Sequence, residues 1–129
     1  MTNEFQTIET VVQLYPRLYS EKRLDEWLEL FDENATVARV ESGGKAVCSS
    51  IQEAMPEQRE YAADNEIFEE VWEAVEVHRH GQLAIIKADY ILTVDSEERR
   101  GVDVLTLVFG ANGWKITHLA YEQKSLTRR

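Results

Sequence analysis

Cysteine, proline and glycine are scarce in this chain, with one, two and six copies among its 129 residues. The lone cysteine, Cys48, cannot form an internal disulfide and offers no metal-ligand spacing, which predicts a reduced, cytoplasmic protein without a bound metal or other cofactor. No stretch approaches the roughly 18 consecutive apolar residues of a membrane span, and the polar start of the chain has no basic region before an apolar one. We therefore expect neither a membrane protein nor a secreted one.

Basic residues are also few in this chain. The chain has 14 Lys and Arg residues against 24 Asp and Glu residues, which gives a formal charge of −10. Such a field repels phosphate backbones and anionic lipid, so we expect no nucleic-acid or membrane partner. Nine carboxylates fall within residues 53–76, where Arg59 is the one basic residue. We interpret this segment as a solvated face, with an acidic surface for a partner protein as the alternative.

The first half of the chain predicts helices. Apolar residues recur at three- and four-residue spacing over Ile8–Tyr19 and again over Leu24–Phe31, which places them on one face of a helix in each case. Ser50 and Glu53 have the spacing of a capping box, which predicts a third helix over about residues 51–63.

The period changes to two from Ala35 onward, which is typical of strands. Gly43 and Gly44 provide a turn in the first hairpin. We expect four long strands to follow, over residues 68–80, 83–94, 100–109 and 114–123. No linker or repeat divides the chain, so we predict one domain over residues 1–129, an α+β fold with three N-terminal helices in the concave face of a strongly curved, mainly antiparallel sheet.

Two stretches resemble a known superfamily. They are LDEWLELFDENATV, within residues 15–39, and DVLTLVFGANGWKITHL, residues 103–119. Both are similar to the nuclear-transport-factor-2-like (NTF2-like), or SnoaL-like, superfamily, whose cone-shaped, cystatin-like α+β fold is shared by ketosteroid isomerases and scytalone dehydratase. The resemblance implies this fold for nearly the whole chain. It implies little about chemistry, since the superfamily uses one cone for many unrelated activities.

Extended to the ketosteroid isomerases, the resemblance assigns three positions. Their oxyanion-donating tyrosine falls on Tyr15, their catalytic aspartate base falls on Arg39, and their second oxyanion donor falls on Thr106. An arginine is protonated at any workable pH and cannot act as that base. We therefore do not predict steroid isomerisation by that mechanism.

The same resemblance gives each strand a facing. If Arg39 and Thr106 point into the cone, strand alternation turns Asp89, Leu119 and Tyr121 inward as well. His118 then faces the opposite side. A slip of one residue would exchange Asp89 for Tyr90 or Tyr121 for His118, and this alternative remains open.

These residues predict a pocket for a small, partly apolar ligand that carries a carboxylate or a polarised carbonyl. Arg39 would bind the anion, Tyr15 or Tyr121 would donate a hydrogen bond, and Thr106, Leu119 and Trp72 would complete the wall or rim. Three alternatives stay open. Arg39 and Asp89 form a half-buried ion pair without a ligand; or the protein is an acid-base isomerase, dehydratase or cyclase with Asp89 as the base and Tyr15 among the donors; or it is a non-catalytic interaction module whose cone encloses less than about 300 Å³.

The other face of the sheet is predicted to be strongly apolar. Such a surface is normally covered, and members of the superfamily that the chain resembles commonly dimerise through this face. We therefore expect a homodimer through Leu105, Leu107, Phe109, Trp114 and Ile116.

Overall fold

Three helices form in the computed structural model, which describes residues 6–41 and 43–128. They are α1 (Ile8–Ser20), α2 (Leu24–Leu28) and α3 (Ile51–Asp64). The side chain of Thr7 caps α1 by accepting a hydrogen bond from the backbone N–H of Thr10. The reciprocal Ser50–Glu53 capping box opens α3, as predicted.

Six strands follow the predicted order. They are β1 (Phe31–Val40), β2 (Ala46–Ser50), β3 (Phe68–His80), β4 (Leu83–Val94), β5 (Glu97–Gly110) and β6 (Gly113–Arg128). They form one sheet in the order β2-β1-β6-β5-β4-β3, in which β1 and β6 run parallel and every other pair is antiparallel. The sheet is curved and does not close. The fold class predicted from the sequence is confirmed, and α3 stands between the first hairpin and β3, as its predicted residues imply.

Burial alternates sharply along the central strands. On β4 every second residue from Ala84 to Val94 is buried, while Leu83, Ile85, Lys87 and Asp89 are exposed. A half-buried strand shows this pattern because successive side chains point to opposite faces. The buried face of β4 is therefore the concave face, against which the helices pack. No helix among the described residues is long and apolar enough to cross a membrane.

The facing expected for β5 and for the start of β6 is wrong. Leu105, Leu107 and Ile116 are completely buried and Trp114 is 5% exposed, so they belong to the core of the chain rather than to an outer dimer face. Phe109 is 38% exposed at the end of β5. The long leucine side chains fill the space beneath the helices, and the residues between them form the opposite face: Val102, Val104, Thr106 and Val108, all part-buried.

Candidate functional site

A cavity of about 930 Å³ opens between the helices and the concave face of the sheet. It is well above the 300 Å³ or so that a small ligand needs. Six aromatic side chains line it: Tyr15, Tyr19, Trp27, Tyr61, Tyr90 and Tyr121. Such a wall offers large apolar faces together with phenol and indole groups that form hydrogen bonds.

Four of the predicted site residues meet in this cavity. Tyr15 comes from α1, Arg39 from the end of β1, and Leu119 and Tyr121 from β6. His118 lies on the opposite face of β6, where its Nδ1 atom is 2.7 Å from Thr36 Oγ1. The facing expected for Arg39 on β1 and for His118, Leu119 and Tyr121 on β6 is thus correct, and the register of β6 against β5 shifts just before them, between Ile116 and His118.

Asp89 and Thr106 do not reach the cavity, and their predicted facing is wrong. Asp89 is exposed on the outer face of β4, and Thr106 is part-buried on the same face of β5. Their inward neighbours are Tyr90, which lines the cavity, and Leu105, which is buried in the core. The physical reason is desolvation. The alternation that turns Asp89 inward also buries the charge of Lys87, whereas the other face of β4 carries no charge.

Two carboxyl groups that the sequence reasoning missed line the cavity instead. Asp103 lies on β5 and is 4% exposed, and Glu70 lies on β3. Each takes a place in a run of alternate apolar residues: Asp103 is followed at alternate positions by Leu105 and Leu107, and Glu70 stands between Phe68 and Trp72. A carboxylate that takes the place of an apolar residue in such an alternation is the signal that identifies them.

Burial changes the acidity of both carboxyl groups. It raises the pKa of Asp103 to about 7, although a hydrogen bond from Trp72 opposes the rise. Burial also raises the pKa of Glu70 well above its ordinary value, and the nearby Asp103 adds to the effect. Desolvation disfavours the charged form, and two neighbouring carboxylates disfavour each other's ionisation. Asp103 therefore binds and releases protons near neutral pH, beside a glutamate whose pKa is also raised.

Trp72 contacts two residues of the cavity from outside its lining. It is not among the cavity-lining residues, so it does not form part of the wall as predicted. Its indole Nε1–H donates a 2.9 Å hydrogen bond to Asp103 Oδ2, and its ring stacks on Tyr15 with 4.6 Å between the ring centroids. Trp72 thereby fixes the position of both a carboxyl and a phenol of the cavity.

Replacing Trp72 tests this role. Trp72→Phe keeps an aromatic ring against Tyr15 but removes the N–H that stabilises the ionised form of Asp103, so we expect the pKa of Asp103 to rise by about one pH unit or more. Carboxyl ¹³C NMR titration measures it. Trp27→Phe is the matched control, because Trp27 Nε1 has no hydrogen-bond partner among the described residues. An unchanged pKa in Trp72→Phe would contradict the assignment.

The cationic side chains of the cavity are already paired with carboxylates. Arg39 lies 3.3 Å from Glu41 and 3.5 Å from Glu57. The other two pairs are Arg99 with Glu97, at 2.9 Å, and Lys124 with Glu122, at 3.0 Å. The alternative of an Arg39–Asp89 ion pair is therefore wrong, and Arg39 is partly neutralised before any ligand arrives.

Unsatisfied polar atoms concentrate around the cavity. Within residues 6–41 and 43–128, the buried side-chain nitrogen and oxygen atoms that lack a hydrogen-bond partner are Trp27 Nε1, Arg39 Nε, Tyr61 Oη, Glu70 Oε2 and Arg99 Nε. All five belong to residues that line the cavity. Buried polar groups are nearly always paired in native proteins, and each exception needs an explanation. Across the same described residues, no three His, Cys, Asp or Glu side chains are grouped so that they could hold a metal ion.

Comparisons with known proteins identify the fold. No protein-family model matches the chain, and no curated protein matches it. Among solved structures, a candidate scytalone dehydratase from Novosphingobium aromaticivorans superimposes with a TM-score of 0.79 at 13% identity, covering 95% of this chain and 85% of that one.

Two further structures from the same organism are also similar. One is an NTF2-like protein with a cystatin-like fold, with a TM-score of 0.70 at 14% identity and coverage of 90% and 79% of the two chains. The other is the beta subunit of a candidate aromatic-ring-hydroxylating dioxygenase, with a TM-score of 0.73 at 12% identity and coverage of 93% and 88%. Structural similarity at such low sequence identity establishes the architecture of this chain and leaves its activity open. The chain therefore has the cone-shaped α+β fold of the NTF2-like superfamily, as the sequence resemblance predicted.

Proposed function

We propose that this protein binds a small, partly apolar organic molecule in the cavity of the cone. The observation that carries the proposal is the coincidence of a cavity of about 930 Å³ with all five unpartnered buried polar atoms of the described residues. A ligand with an apolar body and a few polar groups would fill the cavity and form hydrogen bonds with the unpartnered atoms. In this proposal Tyr15, Arg39, Leu119 and Tyr121 form part of the cavity wall. Asp103 and Glu70 are its acidic groups, and Asp89 and Thr106 are no longer part of the site.

Native mass spectrometry of freshly purified protein tests this function. We expect a fraction of the chains to carry a small organic molecule that is lost on denaturation. Leu119→Trp, which fills part of the cavity, should reduce that fraction severalfold, whereas Thr106→Trp on the outer face should leave it unchanged. Finding only bare chains of the unmodified protein would contradict the proposal.

An acid-base enzyme is the second candidate, and the buried carboxyl pair favours it. A carboxyl with a pKa of about 7 is divided between its two forms at neutral pH, which suits proton transfer. In this candidate the base is Asp103, and not Asp89 as the sequence predicts. The candidate predicts that a panel of carbonyl compounds exchanges α-protons with D₂O in the presence of the protein and not of Asp103→Asn. No exchange with any of them would argue for binding alone.

We further propose a homodimer through the outer face of the sheet, with a corrected set of residues. Val102, Val104 and Val108 are part-buried there, and their neighbours on β4 include Leu83 and Ile85, which are 56% and 42% exposed. The face is apolar at its centre and carries both signs of charge, Lys87 and Asp89, which a two-fold related copy could pair. A cytoplasmic location likewise stays a prediction.

Sedimentation velocity tests the dimer. We expect the unmodified protein to sediment as a dimer at micromolar concentration. Val104→Arg, at the centre of the outer face, should shift the equilibrium towards monomer by at least about tenfold, since an unpaired charge would be buried. Val75→Arg, on the exposed part of edge strand β3, is the control. A monomeric unmodified protein would contradict the proposal.

A further inference from the structure

We propose that the cavity selects an organic ammonium ion, whose charged nitrogen is bound by Asp103 and Glu70 and whose apolar part packs against the tyrosines of the wall. The inference rests on the proposed ligand-binding function and names the chemical class of the ligand. It departs from the anionic ligand that Arg39 suggested in the sequence. Geometry, charge and aromatic lining support it independently.

Carboxyl groups outnumber cationic groups in the lining of the cavity. Three cationic side chains line it, and each has a carboxylate partner within 3.5 Å. Seven carboxyl-bearing residues line it: Glu41, Glu57, Glu60, Asp64, Glu70, Asp103 and Glu122. Four of these belong to the acidic segment 53–76, which therefore contributes to the cavity as well as to the solvated surface. A cavity with this balance concentrates cations and repels anions.

Asp103 and Glu70 lie deep in the cavity without a paired cation. No lysine, arginine or histidine of the described residues lies within ion-pair distance of either group. Trp72 occupies one oxygen of Asp103, and Glu70 Oε2 is buried without a hydrogen-bond partner. Buried carboxylates are normally stabilised by a paired cation. A ligand ammonium supplies that charge and up to three donors.

The aromatic wall suits the same ligand. Electron-rich ring faces attract a cation that lies within about 6 Å of the ring centroid. The cavity already contains one such contact, since the guanidinium of Arg99 lies 5.5 Å from the centroid of Tyr61. Tyr15, Tyr19 and Tyr90 present further rings beside the two carboxyl groups. Burial and the nearby charges of Asp103 and Glu70 raise the pKa of all three phenols, so they remain neutral in this environment.

Binding should therefore depend on pH. The titratable groups that face the carboxyl pair are Tyr15 and Tyr19 on α1, Tyr90 on β4 and Tyr121 on β6, all with a raised pKa. Asp103, whose pKa is raised to about 7, is thus the group of this set that changes charge near neutrality, and the pKa of the neighbouring Glu70 is raised by the same burial. An ammonium ion binds their ionised form, so its affinity should rise with pH through about 7, and binding should release protons.

Isothermal titration calorimetry with three probes of matched size tests the inference: 2-phenylethylammonium, 2-phenylethanol and 3-phenylpropionate. At pH 7.5 we expect the ammonium probe to bind at least about tenfold more tightly than the alcohol, because charge-assisted hydrogen bonds are stronger than neutral ones. The propionate should bind most weakly. The ammonium affinity should increase severalfold from pH 6 to pH 8, with proton release measured in buffers of different ionisation enthalpy, while the alcohol affinity stays flat.

Four variants test which carboxyl groups cause the preference for the ammonium probe over the alcohol. Asp103→Asn and Glu70→Gln should each bring the affinity of the ammonium probe close to that of the alcohol. Asp89→Asn and Glu69→Gln are the controls, since each removes the same charge from an exposed site on the opposite face of the same region. They should leave the tenfold preference in place.

The outcomes separate this inference from the proposed function. If the alcohol or the propionate binds as tightly as the ammonium probe, or if the control variants lose the preference equally, the inference is overturned while the ligand-binding cavity stands. If none of the three probes binds at millimolar concentration and freshly purified protein carries no small molecule, the inference and the proposed function both fail.

Discussion

Asp103→Asn is expected to make the folded protein more stable at pH 8 and to leave its stability nearly unchanged at pH 4. The pKa of this carboxyl is about 7 in the folded chain against an ordinary value of 3.8. A raised pKa means that the folded chain holds the proton more tightly than the unfolded chain, so the stabilisation is complete below about pH 3.8 and is lost as pH rises through about 7. The loss amounts to something on the order of 4 kcal/mol.

Asparagine resembles the protonated carboxyl and does not ionise, so the variant avoids that loss. Urea unfolding followed by tryptophan fluorescence at pH 4, 6 and 8 measures the effect. Asp89→Asn, at an exposed position of β4, should keep the pH profile of the unmodified protein. If Asp103→Asn were less stable than the unmodified protein at pH 8, the carboxyl would be held by stabilising contacts as an anion, contrary to our description of the site.

Gly101→Ala is expected to destabilise the fold by about 3 kcal/mol, at the upper end of the usual cost of an overpacked interior. A Cβ atom at this position would overlap the carbonyl oxygen of Glu122 and lie 2.6 Å from the hydroxyl oxygen of Tyr90. The carbonyl belongs to the neighbouring strand and moves only if the pairing of β5 with β6 is disturbed. Tyr90, the cross-strand neighbour of Gly101, would be displaced from the cavity wall.

Gly110→Ala is the matched control on the same strand. A Cβ atom at residue 110 would have no neighbour within 4 Å, so this variant should change the free energy of unfolding by well under 1 kcal/mol. Chemical denaturation of both variants provides the comparison. Equal stability of the two variants would mean that Tyr90 does not lie across Gly101.

The helices and strands were predictable because their signals are local. The Ser50–Glu53 capping box fixes the start of α3, and the alternation over residues 68–80 and 83–94 gives β3 and β4 with their observed bounds. Each of these patterns is read within a dozen residues and depends little on what packs against it. The order of the elements then favours a curved antiparallel sheet over a parallel one.

The site was predicted only in part because facing is a tertiary property. Arg39 and Tyr121 reach the cavity as expected, but the facing that the resemblance implies for β5 at Thr106 is shifted by one residue. A shift of one residue exchanges the two faces of a strand completely, so the predicted site leaves out Asp103 on β5, and the same error on β4 includes Asp89. Comparing the cost of burying Lys87 and Asp89 with that of burying Ala88 and Tyr90 would have given the correct face of β4.

Arg39 is predicted from the sequence to bind an anion, but two carboxylates already pair with its guanidinium. They are Glu41, from the turn after β1, and Glu57, from α3. Pairs between separate elements cannot be read from one sequence without the fold. The carboxyl groups of the cavity come from separate helices and strands, so only the folded structure shows that they outnumber its cations.

A crystal structure of the protein grown with 2-phenylethylammonium at pH 8 tests the central claim most directly. The account predicts electron density for the probe inside the cone, with its nitrogen about 3 Å from a carboxylate oxygen of Asp103 or Glu70 and its ring against the tyrosines. Density for the probe at the rim beside Glu57 and Glu60, or a cone filled by its own aromatic side chains, would contradict it.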